Sequence, residues 1–353
     1  MLDLRSLFTN ERDAGITPTP RSTLGWLGGT ARLYRFERPD DAPEAPPLPL
    51  LIVPSLINRW YVVDLRPGAS LVAGLVGAGI DTYCLDWGVP EDEDRYLDWE
   101  EVVARVGRAV KRVRRHTGAP RVGVLGYCMG ATVAGIWSAL HADQVAAFVN
   151  LAGPFDFSKA GALGEMVDPR WFDADAVADA GNVNPVQMQA GFVALRPTLE
   201  LAKQVRKADT LLDAKSRVAG RALEIWASDN IPFPGQAYRT YIRELYQQNR
   251  LIAGTHRVGG RTVDLGNLRC PVLSIVASRD SICPADAATA LNHAARTTDR
   301  EVLTVAGGHV GAVVGSRAAR EMYPATAAWL RRRLTPGPRQ WSNADQTTSE
   351  DSP

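Results

Sequence analysis

The sequence predicts an α/β fold in which helices cover both faces of a mostly parallel central sheet and a mainly helical cap interrupts the chain. Short apolar runs alternate with helical patterns up to about residue 153, and strand character returns after about residue 265. Between them, helical and irregular stretches carry many aromatic residues. We therefore predict an N-terminal arm (1–30), a first core part (31–153), a cap insertion (154–264), a second core part (265–335) and a disordered tail (336–353).

The predicted elements of the two core parts follow one another in a regular order. Apolar, β-branched runs predict the strands, and apolar residues recurring every three or four positions predict the helices. The first part has strands at 31–37, 50–53, 81–86, 121–125 and 145–151, with helices at 70–77, 99–117 and from residue 131 onwards. The second part has strands at 270–277 and 301–305 and a closing helix at 317–334. In the cap, Tyr238, Tyr241, Leu245 and Tyr246 have helical spacing, which favours a role in the core of the cap itself.

Composition excludes several classes of protein. A net charge of +1 gives no indication of a nucleic-acid or anionic-membrane partner. The four cysteines are too few for a disulfide framework and have no zinc-finger spacing, and no phosphate loop or dinucleotide fingerprint is present. We see neither a signal peptide nor an apolar run of about 20 residues that would span a bilayer. A cytoplasmic protein with reduced thiols, no metal and no bound cofactor is expected.

The stretch Gly126-Tyr-Cys-Met-Gly130 joins a predicted strand to a predicted helix. A strand, a Gly-x-nucleophile-x-Gly turn and a helix form the nucleophile elbow of α/β-hydrolases, here with Cys128 in the place of serine. Larger side chains two positions before and after the nucleophile would collide with the neighbouring strand and helix. The nucleophile then lies at a helix N-terminus, which favours a thiolate. The pattern predicts an α/β-hydrolase fold with Cys128 as nucleophile.

Two further residues follow the predicted strands of the second core part. Asp280 follows the strand at 270–277, and His309 follows the strand at 301–305 between Gly-Gly and Val-Gly. Parallel strands bring their carboxyl ends to one edge of a sheet. The chain order of nucleophile, acid and histidine is that of α/β-hydrolases. We expect Cys128, Asp280 and His309 to form a catalytic triad.

An oxyanion hole is expected beside the nucleophile. In this fold one N–H comes from the residue after the nucleophile and the other from the loop after an upstream strand. The first corresponds to Met129. The turn-forming segment Pro54-Ser-Leu-Ile-Asn-Arg59 supplies the second, which we assign to Ile57.

Several segments between residues 50 and 332 resemble polyhydroxyalkanoate synthases, in particular the short catalytic subunits of the two-component, class III type. The matching segments are Asn58-Arg-Trp-Tyr-Val-Val-Asp-Leu65, Leu85-Asp-Trp-Gly88, Gly126-Tyr-Cys-Met-Gly130, Tyr246-Gln-Gln-Asn-Arg-Leu251, Cys270-Pro-Val-Leu273 and Gly307-Gly-His-Val-Gly311. The resemblance implies polymerisation of (R)-3-hydroxyacyl-CoA with release of CoA, the chain growing as a thioester on Cys128. It implies that His309 activates Cys128 and that His309 or Asp280 helps to activate the 3-hydroxyl group. It also implies a second, PhaE-like subunit in a homo- or hetero-oligomer and association with polyester granules.

Two positions depart from the family pattern. Ala131 stands where a further glycine is usual, and Asp280-Ser-Ile-Cys-Pro284 replaces Asp-His-x-x-Pro. A cysteine nucleophile suits thioester chemistry, but water can also hydrolyse an acyl-enzyme. A thioesterase or polyester hydrolase on the same fold is therefore the alternative enzyme, and a non-catalytic granule-binding scaffold is the alternative outside enzymes.

Overall fold

The computed structural model describes residues 16, 19–194 and 214–335, and an eight-stranded sheet forms its centre. The strands are β1 (Arg21–Gly28), β2 (Ala31–Phe36), β3 (Leu50–Val53), β4 (Thr82–Asp86), β5 (Val122–Tyr127), β6 (Val145–Leu151), β7 (Val272–Ala277) and β8 (Arg300–Val305). Their order across the sheet is β1-β2-β4-β3-β5-β6-β7-β8. All pairs from β4 to β8 are parallel, and β2 pairs antiparallel with both β1 and β4. The prediction of a mostly parallel sheet is confirmed.

Eleven α-helices are present in the described residues. They are α1 (Leu71–Gly77), α2 (Trp99–Thr117), α3 (Met129–Leu140), α4 (Ala162–Met166), α5 (Ala174–Asp179), α6 (Pro185–Ala194), α7 (Ala214–Ser228), α8 (Gly235–Thr240), α9 (Ala285–Ala294), α10 (Gly311–Val314) and α11 (Tyr323–Arg333). Two π-helical segments, Tyr241–Gln247 and Ala318–Met322, follow α8 and precede α11. The predicted closing helix is thus a π-helical turn followed by α11.

Local sequence explains where α2 begins and ends. The Asp98 side chain accepts a hydrogen bond from the Glu101 N–H at 2.7 Å, which caps the first turn. Gly118 ends the helix in the left-handed region, with φ of 73°. Between these caps the valines at 102, 103, 106, 110 and 113 are buried on one face. The predicted amphipathic helix is confirmed.

Two large clusters of buried apolar side chains form the core. Leu51 and Val53 belong to one cluster, while their neighbours Leu50 and Ile52 belong to the other, because successive side chains of a strand point to opposite faces of a sheet. Helices α2 and α3 contribute to the first cluster, and α1 and α11 contribute to the second. The sheet therefore has helices on both faces. Among the described helices, none combines the length and the apolar character needed to cross a bilayer.

The N-terminal segment differs from the prediction of a simple arm. Arg21–Gly28 form β1, an edge strand that pairs antiparallel with β2. The guanidinium of Arg21 lies 4.7 Å from the ring centre of Trp60 and 4.9 Å from that of Tyr34. Two glycines and an exposed Trp26 interrupt the alternation by which a strand is recognised, which explains why the sequence pattern did not reveal it. Residues 1–15, 17 and 18 of the predicted arm and the predicted tail 336–353 lie outside the described residues.

Helices α4 to α8 lie between β6 and β7 in the chain, within the segment predicted to be a cap. This segment ends with the π-helical turn Tyr241–Gln247 and a ribbon of two short strands, Arg257–Val258 and Arg261–Thr262, which the sequence pattern did not indicate. The main chain of Val183 and Phe233 exchanges hydrogen bonds of 2.8 and 3.1 Å, which joins the segments that precede α6 and α8.

Candidate active site

Cys128 lies between β5 and α3 in a backbone conformation that is rare for a side-chain-bearing residue, with φ of 54° and ψ of −133°. Its N–H donates to the carbonyl of Leu151 at 2.9 Å, and its carbonyl accepts from the N–H of Ala131 at 2.9 Å. These bonds hold a conformation that costs about 1–3 kcal/mol. Such a turn is the structural property of a nucleophile elbow.

The two glycines of the elbow are required by close backbone approaches. A Cβ atom on Gly126 would lie 2.2 Å from Cα of Ala131, and one on Gly130 would lie 2.2 Å from the carbonyl oxygen of Pro54. Both distances are too short for any side chain unless the backbone moves. The elbow is therefore packed against its own helix on one side and against the loop after β3 on the other.

Ala131, where the resembled family usually has glycine, is accommodated by a third glycine. A Cβ atom on Gly153 would lie 2.4 Å from Cβ of Ala131 and 2.6 Å from the carbonyl oxygen of Cys128. The methyl group of Ala131 therefore occupies space that is open only because residue 153 has no side chain. The local sequence around Gly153 does not indicate this role.

Asp280 and His309 form a buried pair at the ends of β7 and β8. The Nδ1 atom of His309 lies 2.7 Å from Oδ2 of Asp280. The other carboxylate oxygen accepts hydrogen bonds from the N–H groups of Ile282 and Cys283, both at 2.9 Å. The side chain of Asp280 is fully buried and that of His309 is 7% exposed. The carboxylate is therefore fixed, and it sets which ring nitrogen of His309 carries the proton.

One contact joins the loops that carry this pair, and another connects His309 to the neighbour of Cys128. The loops after β7 and β8 are joined by a 2.9 Å hydrogen bond from the Arg279 N–H to the carbonyl of Gly307. The imidazole of His309 stacks on the ring of Tyr127, the neighbour of Cys128, with ring centres 5.4 Å apart and planes at 28°. The structure thus brings Cys128, Asp280 and His309 together at one edge of the sheet. Tyr127 is a further site residue that the sequence pattern did not identify, because its role lies in a contact with the distant loop of His309.

The groups that surround His309 shift its pKa. Burial opposes its charged form, but the neighbouring Cys128 and the hydrogen bond to Asp280 prevail and raise the pKa of His309 to about 10. Among the described residues, the buried Nε2 atom has no partner in ideal hydrogen-bond geometry, but Cys128 is close enough for both its charge and a side-chain hydrogen bond to favour the imidazolium. Such contacts often tighten only when substrate is bound. The arrangement favours the imidazolium form of His309 beside Cys128.

We expect the replacement Cys128→Ala to lower the pKa of His309. Cys128 is the strongest of the interactions that favour the imidazolium, and the opposing effect of burial remains when the sulfur is removed. The ring should then lose its proton at a lower pH than in the unmodified protein. NMR titration of the His309 ring in both proteins measures the shift. An unchanged or higher pKa would show that the two side chains do not interact.

An apolar cavity of about 380 Å³ adjoins the elbow. Met129, the first residue of α3, and Ile57, in the loop after β3, both line it. The remaining walls come from the segment between β6 and β7, and include Phe172, Phe233, Tyr238, Tyr241 and Tyr246. The volume lies in the range of sites that enclose small ligands. The tyrosines that the sequence analysis assigned to the core of the cap therefore also form a cavity wall.

Residues 246–249 contact several other parts of the segment between β6 and β7. Tyr246 packs against Phe157, with ring centres 4.7 Å apart, and lines the cavity. The amide of Gln247 donates to the carbonyl oxygens of Val167 and Phe172 at 2.9 and 3.1 Å. Asn249, with φ of 48°, donates to Asp156 at 2.9 Å and accepts from the Phe157 N–H at the same distance. This segment therefore fixes one wall of the cavity.

Comparison with known proteins places this site in a fold class. The family model described as alpha/beta hydrolase fold matches residues 49–316, so the chain is an α/β-hydrolase-fold protein. A putative lipase from Sulfolobus solfataricus has a similar structure, with a TM-score of 0.54, 14% identity and coverage of 89% of this chain and 99% of its own. A lipase-esterase related protein from Clostridium acetobutylicum gives a TM-score of 0.52, 14% identity and coverage of 86% and 100%. These similarities establish the fold alone.

Curated sequences identify the family more narrowly. The chain is 36% identical over 307 residues to the poly(3-hydroxyalkanoate) polymerase subunit PhaC of Allochromatium vinosum, which covers 85% of each chain. It is 32% identical to the protein of the same name from Synechocystis sp., covering 92% of this chain and 87% of the other. The protein of that name from Thiocystis violacea is 33% identical, with 85% of each chain covered. The chain belongs to the PhaC family, as the resemblance predicted.

Proposed function

We propose that this protein polymerises (R)-3-hydroxyacyl units from their CoA thioesters into a polyhydroxyalkanoate, with release of CoA. The observation that carries this proposal is the strained Cys128, which interacts with His309 of the Asp280–His309 pair and whose neighbour Met129 lines an apolar cavity. The printed names of the PhaC relatives support the same activity. No step requires a bound cofactor, since CoA enters as part of the substrate.

The first half of the reaction is acylation of Cys128. The thiolate attacks the thioester carbonyl while His309 carries the proton taken from the thiol. The N–H groups of Met129 and Ile57 stabilise the resulting oxyanion. Collapse of the tetrahedral intermediate breaks the bond to the CoA sulfur, which leaves with the proton of His309. Asp280 holds the ring and stabilises its charge.

The second half is transfer of the acyl group to a hydroxyl group. The 3-hydroxyl of another unit attacks the acyl-Cys128 thioester, its proton passes to His309 or is shared with Asp280, and the sulfur of Cys128 leaves. Water competes for the same thioester. Apolar walls around the cavity favour the hydroxyacyl nucleophile, because they hold few water molecules near the acyl group.

The proposal extends to partners. We expect a second, PhaE-like subunit to join this chain in an oligomer and the product to accumulate as granules with the enzyme at their surface. Both expectations come from the family resemblance.

Incubation with (R)-3-hydroxybutyryl-CoA, with and without the cognate second subunit, tests the function. CoA release is followed with a thiol reagent, and the product is sized after extraction. We expect equimolar CoA release and insoluble polyester, and no reaction with the (S)-enantiomer. Release of CoA with only free 3-hydroxy acid would identify a thioesterase instead. Polyester-granule binding that survives Cys128→Ala, without any CoA release by the original protein, would indicate a scaffold.

A further inference from the structure

The loop that follows β3 forms hydrogen bonds with the segment between β6 and β7 at several consecutive positions. The carbonyl of Ile57 accepts from the Ile231 N–H at 3.2 Å. The Asn58 side-chain amide donates to Oδ1 of Asn230 at 2.5 Å. These contacts lie immediately beside the N–H of Ile57, which is the proposed second oxyanion donor.

Further polar contacts with the same segment follow along the loop. The indole N–H of Trp226 donates to the carbonyl of Arg59 at 3.0 Å. The hydroxyl of Tyr61 donates to Oδ2 of Asp229 at 2.9 Å, and the guanidinium of Arg59 lies 3.8 Å from the same carboxylate oxygen. We call residues 226–231 the clamp. Ile57, Trp226 and Ile231 are buried, so water does not replace these bonds easily.

The other end of the loop is fixed by the hydrolase core. The carbonyl of Pro54 accepts from the indole N–H of Trp87 at 2.9 Å and lies against Gly130. The peptide N–H of Ile57 therefore lies between a core anchor at Pro54 and the clamp. The segment from residue 55 to residue 59 runs between Pro54 and the buried Trp60, and the clamp provides the hydrogen bonds at Ile57, Asn58 and Arg59 within it.

The clamp is also continuous with the cavity. The amide of Asn230 donates to Oε1 of Gln189 in α6 at 2.8 Å. Phe233, two residues after the clamp, lines the cavity and packs edge-on against Tyr238 with ring centres 5.4 Å apart. The clamp thus contacts the loop after β3, which carries Ile57, on one side and leads into the cavity wall on the other. We call residues 54–59 the oxyanion loop.

We infer that Asn230 and Asp229 are positioning residues, which set the place of the Ile57 N–H and so make the cavity-forming segment part of the oxyanion site. The inference rests on the proposed function, because it takes Ile57 as an oxyanion donor. Misplacement of a catalytic group by about 1 Å can cost about 100-fold in rate. The clamp residues touch no reacting atom themselves.

The variant Asn230→Ala tests the inference with two substrates, p-nitrophenyl butyrate and (R)-3-hydroxybutyryl-CoA. We expect kcat for acyl transfer to fall by about 10- to 100-fold, with KM changed much less, since the lost stabilisation belongs to the transition state. Alkylation of Cys128 by iodoacetamide should keep its rate, because that displacement forms no oxyanion. Asn230→Asp keeps the acceptor for Asn58 but loses the donor to Gln189, so it should retain more activity than Asn230→Ala.

A matched control is Asn182→Ala. Asn182 also joins this segment to the core, through a 2.6 Å bond from its amide to the carbonyl of Glu91, but far along the chain from the oxyanion loop. This variant should leave kcat unchanged. An Asn230→Ala variant with unchanged acyl transfer, or with alkylation reduced in parallel, would overturn the inference.

Hydrogen exchange separates this inference from the proposed function. Peptides that cover residues 55–61 should exchange faster in Asn230→Ala than in the unmodified protein, and not in Asn182→Ala. If the hydroxyacyl-CoA is not polymerised but the ester is cleaved, the proposed function fails and the kinetic test still applies. If neither substrate reacts, exchange decides, and unchanged exchange across 55–61 refutes the clamp.

Discussion

Replacement of Cys128 by alanine is expected to reduce CoA release from (R)-3-hydroxybutyryl-CoA by roughly 10⁵- to 10⁶-fold. The proposed mechanism has no covalent intermediate without the sulfur, and only the acceleration from substrate binding and the oxyanion donors, about 10³- to 10⁴-fold over water, should remain. Alanine is smaller than cysteine and introduces no clash at the elbow, so the fold should persist. A stopped assay with a thiol reagent and mass spectrometry of the intact protein, which detects the acyl-enzyme, measure the outcome.

Cys270→Ala is the matched control for this experiment. Cys270 is another partly buried free cysteine, which precedes β7 and takes no part in the proposed chemistry. It should keep full activity and its acyl-enzyme signal. If Cys128→Ala retains more than about a hundredth of the original rate, with the structure intact, covalent catalysis by this residue is refuted.

Asp280→Asn is expected to lower the rate of acylation by about 10⁴-fold. The amide preserves shape and can still accept from the N–H groups of Ile282 and Cys283, so the loop should keep its conformation. It no longer fixes the proton on Nδ1 of His309 and no longer stabilises the imidazolium. Because Asp280 is among the groups that raise the pKa of His309, that pKa should also fall. Single-turnover kinetics across a pH series measures both effects.

Asp286→Asn provides a control in the same part of the chain. Asp286 is exposed in the first turn of α9 and is not in contact with the triad in the described structure. Its replacement should change neither the rate nor its pH dependence. A loss of less than tenfold in Asp280→Asn, with thermal unfolding unchanged, would mean that His309 works without the carboxylate.

The fold class was predictable from the sequence because parallel strands that are buried on both faces consist of continuous apolar residues. Runs such as Leu50–Val53 and Val145–Leu151 are buried along their whole length and therefore read as continuous apolar segments. The edge strand Arg21–Gly28 has a weaker apolar pattern, since its side chains are mostly exposed or half-buried. Strand pairing at an edge depends on the neighbouring strand more than on local sequence.

The candidate site was predictable where chemistry and chain order constrain it. Cys128, Asp280 and His309 each follow a strand, and parallel strands bring such positions together. Tyr127 and Gly153 could not be predicted as site residues because their importance lies in contacts between distant segments. The stacking of Tyr127 on His309 and the fit of Ala131 against Gly153 become visible only when the loops are in place.

The clamp was hidden for the same reason. Asn58 and Asn230 are far apart in the chain, and nothing in their local sequence indicates that their amides meet. The family resemblance drew attention to the segment that begins at Asn58 but not to its partner.

The π-helical turn Tyr241–Gln247 has a consequence for the shape of the cavity. Its i→i+5 hydrogen bonds hold more residues in one turn than the roughly 3.6 of an α-helix, so Tyr241 and Tyr246, five positions apart, both face the cavity. In a regular α-helix, positions five apart differ by about 140° around the axis, and Tyr246 would face elsewhere. Substitutions that restore regular α-helical bonding at this turn should therefore remove part of the cavity wall.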